Sequence, residues 1–300
     1  MITDWSPDPL TPARAGTLCR RLAEAYPFLS YRCLGHSLLG REIPLMLLGR
    51  GKSKVLYVGA HHGSEWLTAG LLLRFAEELC IAVSGAQKIF GIHIPYLLEN
   101  RMLCIVPMLN PDGVAIAQGE IAEGDLLAER RLHMNPSGDF THWQANARGV
   151  DLNHNYDAGF AAYKKIEAES GITGGAPTRY SGEYPESEPE TAALCGFIRT
   201  AAPRLLLTLH TQGEEIYYAA PARVPGSRPI AMRLAALSGY RVAEADGAAA
   251  YGGLSDWAAA SLGIPSFTLE CGRGENPLPG SDMPLIYAEL RRLFFESATM

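Results

Sequence analysis

The chain has 300 residues, 47% of them hydrophobic and 19% charged, with a formal net charge of -6. That length permits one large α/β domain or two ordinary ones, with ample core in either case. An acidic chain with no block of Lys or Arg excludes a phosphate-neutralising nucleic-acid surface, and no apolar run approaches the roughly 18–20 residues that span a bilayer.

In chain order, Thr11 and Pro12 open a helix reaching about Tyr26, with Pro12 in the first turn where its missing N–H costs nothing. EIPLMLLG and KVLYVGA read as neighbouring strands joined by RGKSK as the turn. SEWLTAGLLLRFAEELC is a helix with Ser64 as candidate N-cap. RMLCIVPML is a buried strand ending in an NPDG turn, and residues 114–150 form a polar, less regular segment of the kind that carries function. ESEPETAALCGFIRTAA is a helix in which Ser187 and Glu190 have capping-box spacing. RLLLTLH, EEIYYAA and IPSFTLE are strands; GSRPIAMRLAALSGY, LSDWAAASLG and residues 283–297 contain helices. Strands alternate with helices almost throughout, which favours one domain over residues 1–300 with a mostly parallel, twisted sheet.

The six cysteines, Cys19, Cys33, Cys80, Cys104, Cys195 and Cys271, include no C-x-x-C pair, and four lie in apolar runs. Such thiols behave as small hydrophobes in a reducing compartment rather than as a disulfide framework. The opening MITDWSPDPL has neither the basic nor the apolar stretch of a secretory signal, so a cytoplasmic location is expected.

Ligands of such sheets bind beyond the C-terminal ends of the strands. KVLYVGA delivers His61, His62 and Glu65 there; RLLLTLH delivers His210; IPSFTLE delivers Glu270; RMLCIVPML delivers Asn110 and Asp112. Two histidines and a carboxylate suit catalytic zinc, with water in the open position. Both His61 and His62 are near enough to serve; the three-residue spacing to Glu65 favours His62. His61 then points into packing or a supporting hydrogen bond. Glu270 is a candidate general base for water activated by the metal. Glycine follows His62, His210 and Glu270 within three residues, and glycine permits close backbone approach to a ligand.

HGSE (62–65), the distant His210 and Glu270 after a strand resemble the zinc carboxypeptidase family. NPDG (110–113), GVDLNHNYDAGF (149–160), SEPET (187–191) and GGLSDW (252–257) match further in the same order, so the resemblance spans roughly residues 35–275. It implies an α/β fold, a single-domain carboxypeptidase-like sandwich with a mixed, mainly parallel eight-stranded sheet flanked by helices. It implies one Zn²⁺ per chain on His62, Glu65 and His210, with Glu270 as general acid/base. Asp151 matches a carboxylate that orients a ligating histidine, and Asn153 matches a residue that hydrogen-bonds the substrate carboxylate.

The chain also departs from the family. His154 stands where carboxypeptidases carry an arginine for the substrate's terminal carboxylate, and imidazole does not reproduce that two-point grip. Gln144 follows Trp143 where an arginine usually polarises the scissile carbonyl; Arg148 is a candidate substitute. The mobile tyrosine of digestive members falls at Ala248, with Tyr251 three residues later as a candidate for touching substrate. Arg273 could meet a substrate carboxylate or, equally, form a surface pair with Glu275. Ser255 falls at the floor of the specificity pocket, or serves as an N-cap. His93, His133 and His142 read as solvent or loop histidines.

ANARGVDLNHNYDAGF, LHTQGEEIYY and ECGRGENPLP are similar to bacterial γ-D-glutamyl-meso-diaminopimelate peptidases, with murein peptide amidases as relatives. This resemblance implies a murein peptide substrate and cleavage of the γ-D-glutamyl-diaminopimelate amide. A metallocarboxypeptidase or small-molecule amidohydrolase on the same fold is the alternative, and a catalytically silent binding module is disfavoured by the intact His62, Glu65, His210 and Glu270.

Overall fold

The computed structural model describes residues 2–3, 8–120, 125–218, 224–244 and 247–300. Helix α1 (Pro12–Ala25) begins where Thr11 accepts a hydrogen bond from the Arg14 amide at 3.2 Å. Strand β1 (Leu29–His36) has no counterpart in the sequence reading, because it is an edge strand with only Leu29 buried and no clean alternation. It pairs antiparallel with β2 (Glu42–Gly49).

β2 and β3 (Ser53–Val58) are not neighbours, contrary to the hairpin read from RGKSK. β6 (Arg101–Val106) lies between them, antiparallel to β2 and parallel to β3. The short connection crosses the start of β6 instead of turning back. Two glycines allow this: a Cβ on Gly49 would lie 2.2 Å from the Arg101 carbonyl oxygen, and one on Gly51 would lie 2.0 Å from the Asn100 carbonyl carbon. Between β3 and β6 run α2 (Leu67–Ser84), a small hairpin of β4 (Lys88–Ile89) and β5 (Ile92–His93), and α3 (Ile94–Asn100). His93 is not an idle loop residue; its side chain caps α3 by accepting from the Tyr96 amide.

After β6 come α4 (Pro111–Ala117), α5 (Ala128–Met134), α6 (Phe160–Glu169), α7 (Pro189–Ala201), β7 (Leu205–His210) and β8 (Glu215–Tyr218). Then follow α8 (Ser227–Ser238), β9 (Arg241–Ala243), α9 (Leu254–Leu262), β10 (Ser266–Glu270) and α10 (Met283–Ser297). The sheet order is β1-β2-β6-β3-β7-β10-β8-β9, with β6, β3, β7 and β10 mutually parallel at its centre. This is the mixed, mainly parallel eight-stranded sheet expected from the sequence.

Alternation along the central strands fills two layers. Val55, Tyr57, Leu103, Ile105, Leu205 and Leu207 pack with residues of α1, α2, α8 and α10. Leu56, Val58, Cys104, Val106 and Leu206 pack on the other face with α7 and α9. Buried on both faces, these strands read as continuous apolar runs, which is why the sequence exposed them so readily. α2 follows β3 toward β6 on one face, and α7 leads into β7 on the other face. The strand order therefore reverses between β3 and β7, the point where open α/β sheets place their ligands.

Two expected helix starts and one expected turn are placed differently. Ser64 lies in a 3₁₀ turn at Gly63–Glu65, and α2 starts without a side-chain cap. The residue capping α7 is Glu188, because Glu190 is drawn to the Leu38 amide and Ser187 donates to Glu188. NPDG is the start of α4, where the Asn110 side chain accepts from the Gly113 amide at 2.8 Å. At Ser64 and Glu190 contacts with distant segments, the Trp143 carbonyl and the Leu38 amide, override the local pattern, whereas the α4 cap is itself local.

Candidate metal centre and active-site cleft

β3, β7 and β10 end side by side, with Glu270 opposite His210 in the parallel register. Beyond Val58 the chain turns through Ala60, at φ 48°, into His61 and His62. The 3₁₀ turn Gly63–Glu65 is strapped to a distant segment: the Gly63 amide donates to the Gln144 carbonyl (3.0 Å) and the Ser64 amide to the Trp143 carbonyl (2.9 Å). A Cβ on Gly63 would fall 2.2 Å from the Gly113 carbonyl oxygen, so only glycine admits this approach.

The strap aims Glu65 between two histidines. Its Oε1 lies 2.8 Å from His62 Nδ1 and its Oε2 lies 3.0 Å from His210 Nδ1; the two Nδ1 atoms are 3.3 Å apart. Tetrahedral zinc with bonds of roughly 2.0–2.1 Å separates its donors by about 3.3 Å, close to this triangle. One proton can bridge one pair; a cation answers all three donors at once. The donor set and its convergence therefore fit zinc.

His62 Nε2 donates to Asp151 Oδ1 at 3.2 Å, which fixes the ring. Asp151 also accepts from the Arg179 amide (2.9 Å) and the Asn153 amide (3.2 Å). Burial alone would raise the Asp151 carboxyl, but the His62 charge and these bonds hold it far below the usual range. Glu65 behaves alike: burial is outweighed by His62 and His210, and its carboxyl is drawn down to about 2. His61 faces away from the ligand triangle, with Nε2 3.1 Å from the Tyr156 hydroxyl and Nδ1 3.3 Å from Thr208 Oγ1. Asn110 and Asp112 are framework residues: Asn110 donates to the His61 carbonyl at 2.9 Å, and Asp112 pairs with Arg41 at 2.7 Å.

A cleft of about 450 Å³ opens from this triangle. Glu270 lines it together with His62, Glu65, His210, Gln144, Asn153 and His154. Burial and the Glu65 charge raise the Glu270 carboxyl to about 8, which suits a group that takes and returns a proton near neutrality. Gln144 Oε1 accepts from the Thr178 hydroxyl, and its NH₂ has no hydrogen-bond partner among the described residues. Asn153 Oδ1 accepts from the Leu254 amide (3.3 Å) at the start of α9. His154 Nδ1 donates to the Tyr251 carbonyl (2.9 Å), and its ring stacks on Tyr163 at 4.0 Å.

Three other candidates stand outside the lining. Arg148 pairs with Glu188 at 2.9 Å. Arg273 pairs with Glu214 rather than Glu275. The Tyr251 ring packs over Gly159, where a Cβ would come within 2.7 Å of it. Ser255 does line the cleft, but from inside α9, bonded to the Thr268 hydroxyl at 2.9 Å; Gly253 occupies the N-cap. Sequence reasoning overlooked Asn276, whose amide reaches Glu65 Oε1 (3.4 Å) and the Thr211 carbonyl (2.7 Å). It overlooked Asp256 too, which lines the cleft. Both lie in phrases that matched the family, ECGRGENPLP and GGLSDW, and that match was the available signal.

The sequence profile of zinc carboxypeptidases matches residues 16–292. The chain belongs to the zinc carboxypeptidase family. It is thus a hydrolase of the metallopeptidase class, acting on peptide bonds. Among curated relatives of this zinc carboxypeptidase, γ-D-glutamyl-L-diamino acid endopeptidase 1 of Lysinibacillus sphaericus is 32% identical over 277 residues, covering 92% of this chain and 68% of that one. The uncharacterized protein YqgT of Bacillus subtilis is 32% identical over 272 residues, covering 89% and 71%. Among solved structures, carboxypeptidase A of Helicoverpa armigera superposes with a TM-score of 0.74 at 20% identity, covering 98% of this chain and 74% of that one. Murein-tripeptide amidase MpaA of Escherichia coli O157 gives 0.55 at 19%, covering 90% and 92%. At these identities the structural likenesses establish the fold shared by the zinc carboxypeptidases.

Proposed function

We propose that this zinc carboxypeptidase family member hydrolyses the γ-D-glutamyl-diaminopimelate amide of murein peptides. The observation that carries the reading is the 32% identity, across 92% of the chain, to a γ-D-glutamyl-L-diamino acid endopeptidase. The intact ligand triangle supports it, as does the absence of a guanidinium at His154, where removal of ordinary C-terminal residues needs one. One zinc ion per chain, held by His62, Glu65 and His210, would polarise the scissile carbonyl and lower the pKa of a water molecule.

The protein's own groups do the rest. Glu270 takes the proton of the attacking water and returns it to the leaving amine. The Gln144 NH₂ donates to the carbonyl oxygen as charge builds there, in place of the family's arginine. Asp151 holds the His62 ring in one tautomer, and Asn276 steadies Glu65. Asn153 and His154 contact the substrate. We place the catalytic domain over residues 1–300. We place its action in the cytoplasm, a reading that six free thiols support. Among the described residues no helix is long and apolar enough to cross a membrane.

The test is mass-spectrometric. Zinc-loaded protein is incubated with L-Ala-γ-D-Glu-meso-diaminopimelate and, separately, with an unbranched peptide bearing a free C-terminus; Glu270→Gln is the control. Release of diaminopimelate by the wild type alone, with the unbranched peptide intact, is the expected outcome. Trimming of the unbranched peptide would replace this reading with a carboxypeptidase. No cleavage of either by protein holding one zinc would point to small-molecule amides.

A further inference from the structure

Five of the six cysteines are buried, and the sixth, Cys33 on edge strand β1, is exposed. It has company there. Cys33 Sγ lies 4.0 Å from His36 Nε2, and one ligand atom from each of Cys33, His36 and Glu42 lies within 4.8 Å of the other two. A thiol, an imidazole and a carboxylate thus meet on the outer strands β1 and β2, which β6 separates from β3 and its ligands.

An irregularity in the strand makes the meeting possible. Residues three apart in a regular strand point to opposite faces. Here Cys33 pairs with Pro44, Gly35 with Ile43 and His36 with Glu42, so Leu34 is an extra residue with no partner across the pair. Pro44 and Glu42 share a face of β2, and Cys33 and His36, opposite them, therefore share it too. Glu42 is held in place as well. Its Oε2 accepts from the Arg20 guanidinium (3.2 Å) and the Tyr31 hydroxyl (2.9 Å), while Oε1 has no hydrogen-bond partner among the described residues. One carboxylate oxygen is left to face a cation, and the Arg20 charge is already answered by the other.

The donor types narrow the cation. A thiolate selects zinc and similar ions over calcium or magnesium, and imidazole and carboxylate suit the same class. Bonds of about 2.3 Å to sulfur and 2.0–2.1 Å to nitrogen put those two atoms about 3.6 Å apart on a tetrahedral ion. Exposed side chains reach that separation from 4.0 Å by a small rotation.

We propose that Cys33, His36 and Glu42 form a second metal site, for zinc or another borderline-soft divalent cation, with water in the fourth position. The Cys33 thiol now donates to the Gly35 carbonyl at 3.1 Å. On metal binding that proton passes to solvent and the sulfur binds as thiolate. Three exposed side chains lose more freedom on ligation than the buried triangle does, so this site fills only when zinc exceeds one equivalent.

The experiment uses cobalt. His62, Glu65 and His210 offer no sulfur, so near-ultraviolet thiolate-to-cobalt absorption reports the Cys33 site alone, whatever reaction the triangle catalyses. Enzyme carrying one equivalent of zinc, with its thiols reduced, is titrated with Co²⁺. The expected result is a band that saturates at one cobalt per chain, is bleached by further zinc and is absent in Cys33→Ser. His36→Ala and Glu42→Gln should each weaken cobalt binding by about 10–100-fold or more, since loss of even an outer partner of a ligand costs that much. All three variants change exposed side chains outside the cleft and should hydrolyse substrate at the wild-type rate with one equivalent of zinc. No band from reduced protein would overturn the proposal. So would a band whose affinity is unchanged in either His36→Ala or Glu42→Gln, which would reduce the site to an exposed thiol.

Discussion

The Thr178 hydroxyl decides which end of Gln144 faces the cleft, because it donates to Oε1 and leaves the NH₂ unengaged among the described residues. If that NH₂ stabilises the developing oxyanion, Gln144→Ala should lower kcat roughly 10²–10³-fold while zinc stoichiometry stays at one. Steady-state kinetics beside metal analysis checks both. Glu190 is a residue of another kind. It is fully buried, accepts from the Leu38 amide at 3.0 Å, and is raised by burial from 4.5 to about 7. The folded state thus holds this proton more tightly than the unfolded chain. Its stabilising effect is complete below about pH 4.5 and is lost as pH rises through about 7. Glu190→Gln should remove that loss, worth about 3 kcal/mol. Denaturant unfolding of both proteins at pH 4.5, 6 and 8 measures it, and parallel curves would sink the assignment. The sequence marked Glu190 only as a capping-box member; its contact with Leu38, between β1 and β2, comes from a residue 152 positions away.

The elements place these side chains with little freedom. The turn Gly63–Glu65 reaches Glu65 into the triangle only because its backbone lies against Gly113 and Trp143, and a Cβ at residue 63 would sit 2.7 Å from the Trp143 carbonyl oxygen. Gly63→Ala should therefore shift Glu65 and weaken zinc binding by about 10–100-fold, the range seen when support for a ligand is lost. Competition with a chelating dye reads this without any substrate; unchanged affinity would show that the turn absorbs the methyl group. Element reading from sequence succeeded where burial is two-sided, as in β3, β6, β7 and β10. It failed at β1, whose exposed edge carries no alternation, and at the β2–β3 connection. Local turn chemistry there could not reveal that β6, more than forty residues later, would fill the gap.

At the scale of the whole molecule, the proposed zinc ligands come from the ends of two strands on either side of the point where strand order reverses, so a bound metal would tie together segments far apart in the chain. Zinc bound only by the folded state adds stability by mass action, about 4 kcal/mol at a thousandfold excess over Kd. Chelation should lower Tm by several degrees and abolish hydrolysis, with both restored by zinc. A Tm indifferent to chelator would mean that the triangle holds no metal in solution. What the sequence determined by itself was chemistry that follows from local pattern. Buried strands announce themselves as apolar runs, the polar residues that end them are legible, and HGSE with His210 and Glu270 marked the donor set. What only the tertiary structure decided was direction and company. It set His61 against Tyr156 and His62 against Asp151. It took Arg148 and Arg273 to Glu188 and Glu214, and set the His154 ring against the Tyr251 carbonyl. Those outcomes depend on which distant groups lie within about 3 Å, where hydrogen bonds form, and spacing along a chain carries no such information.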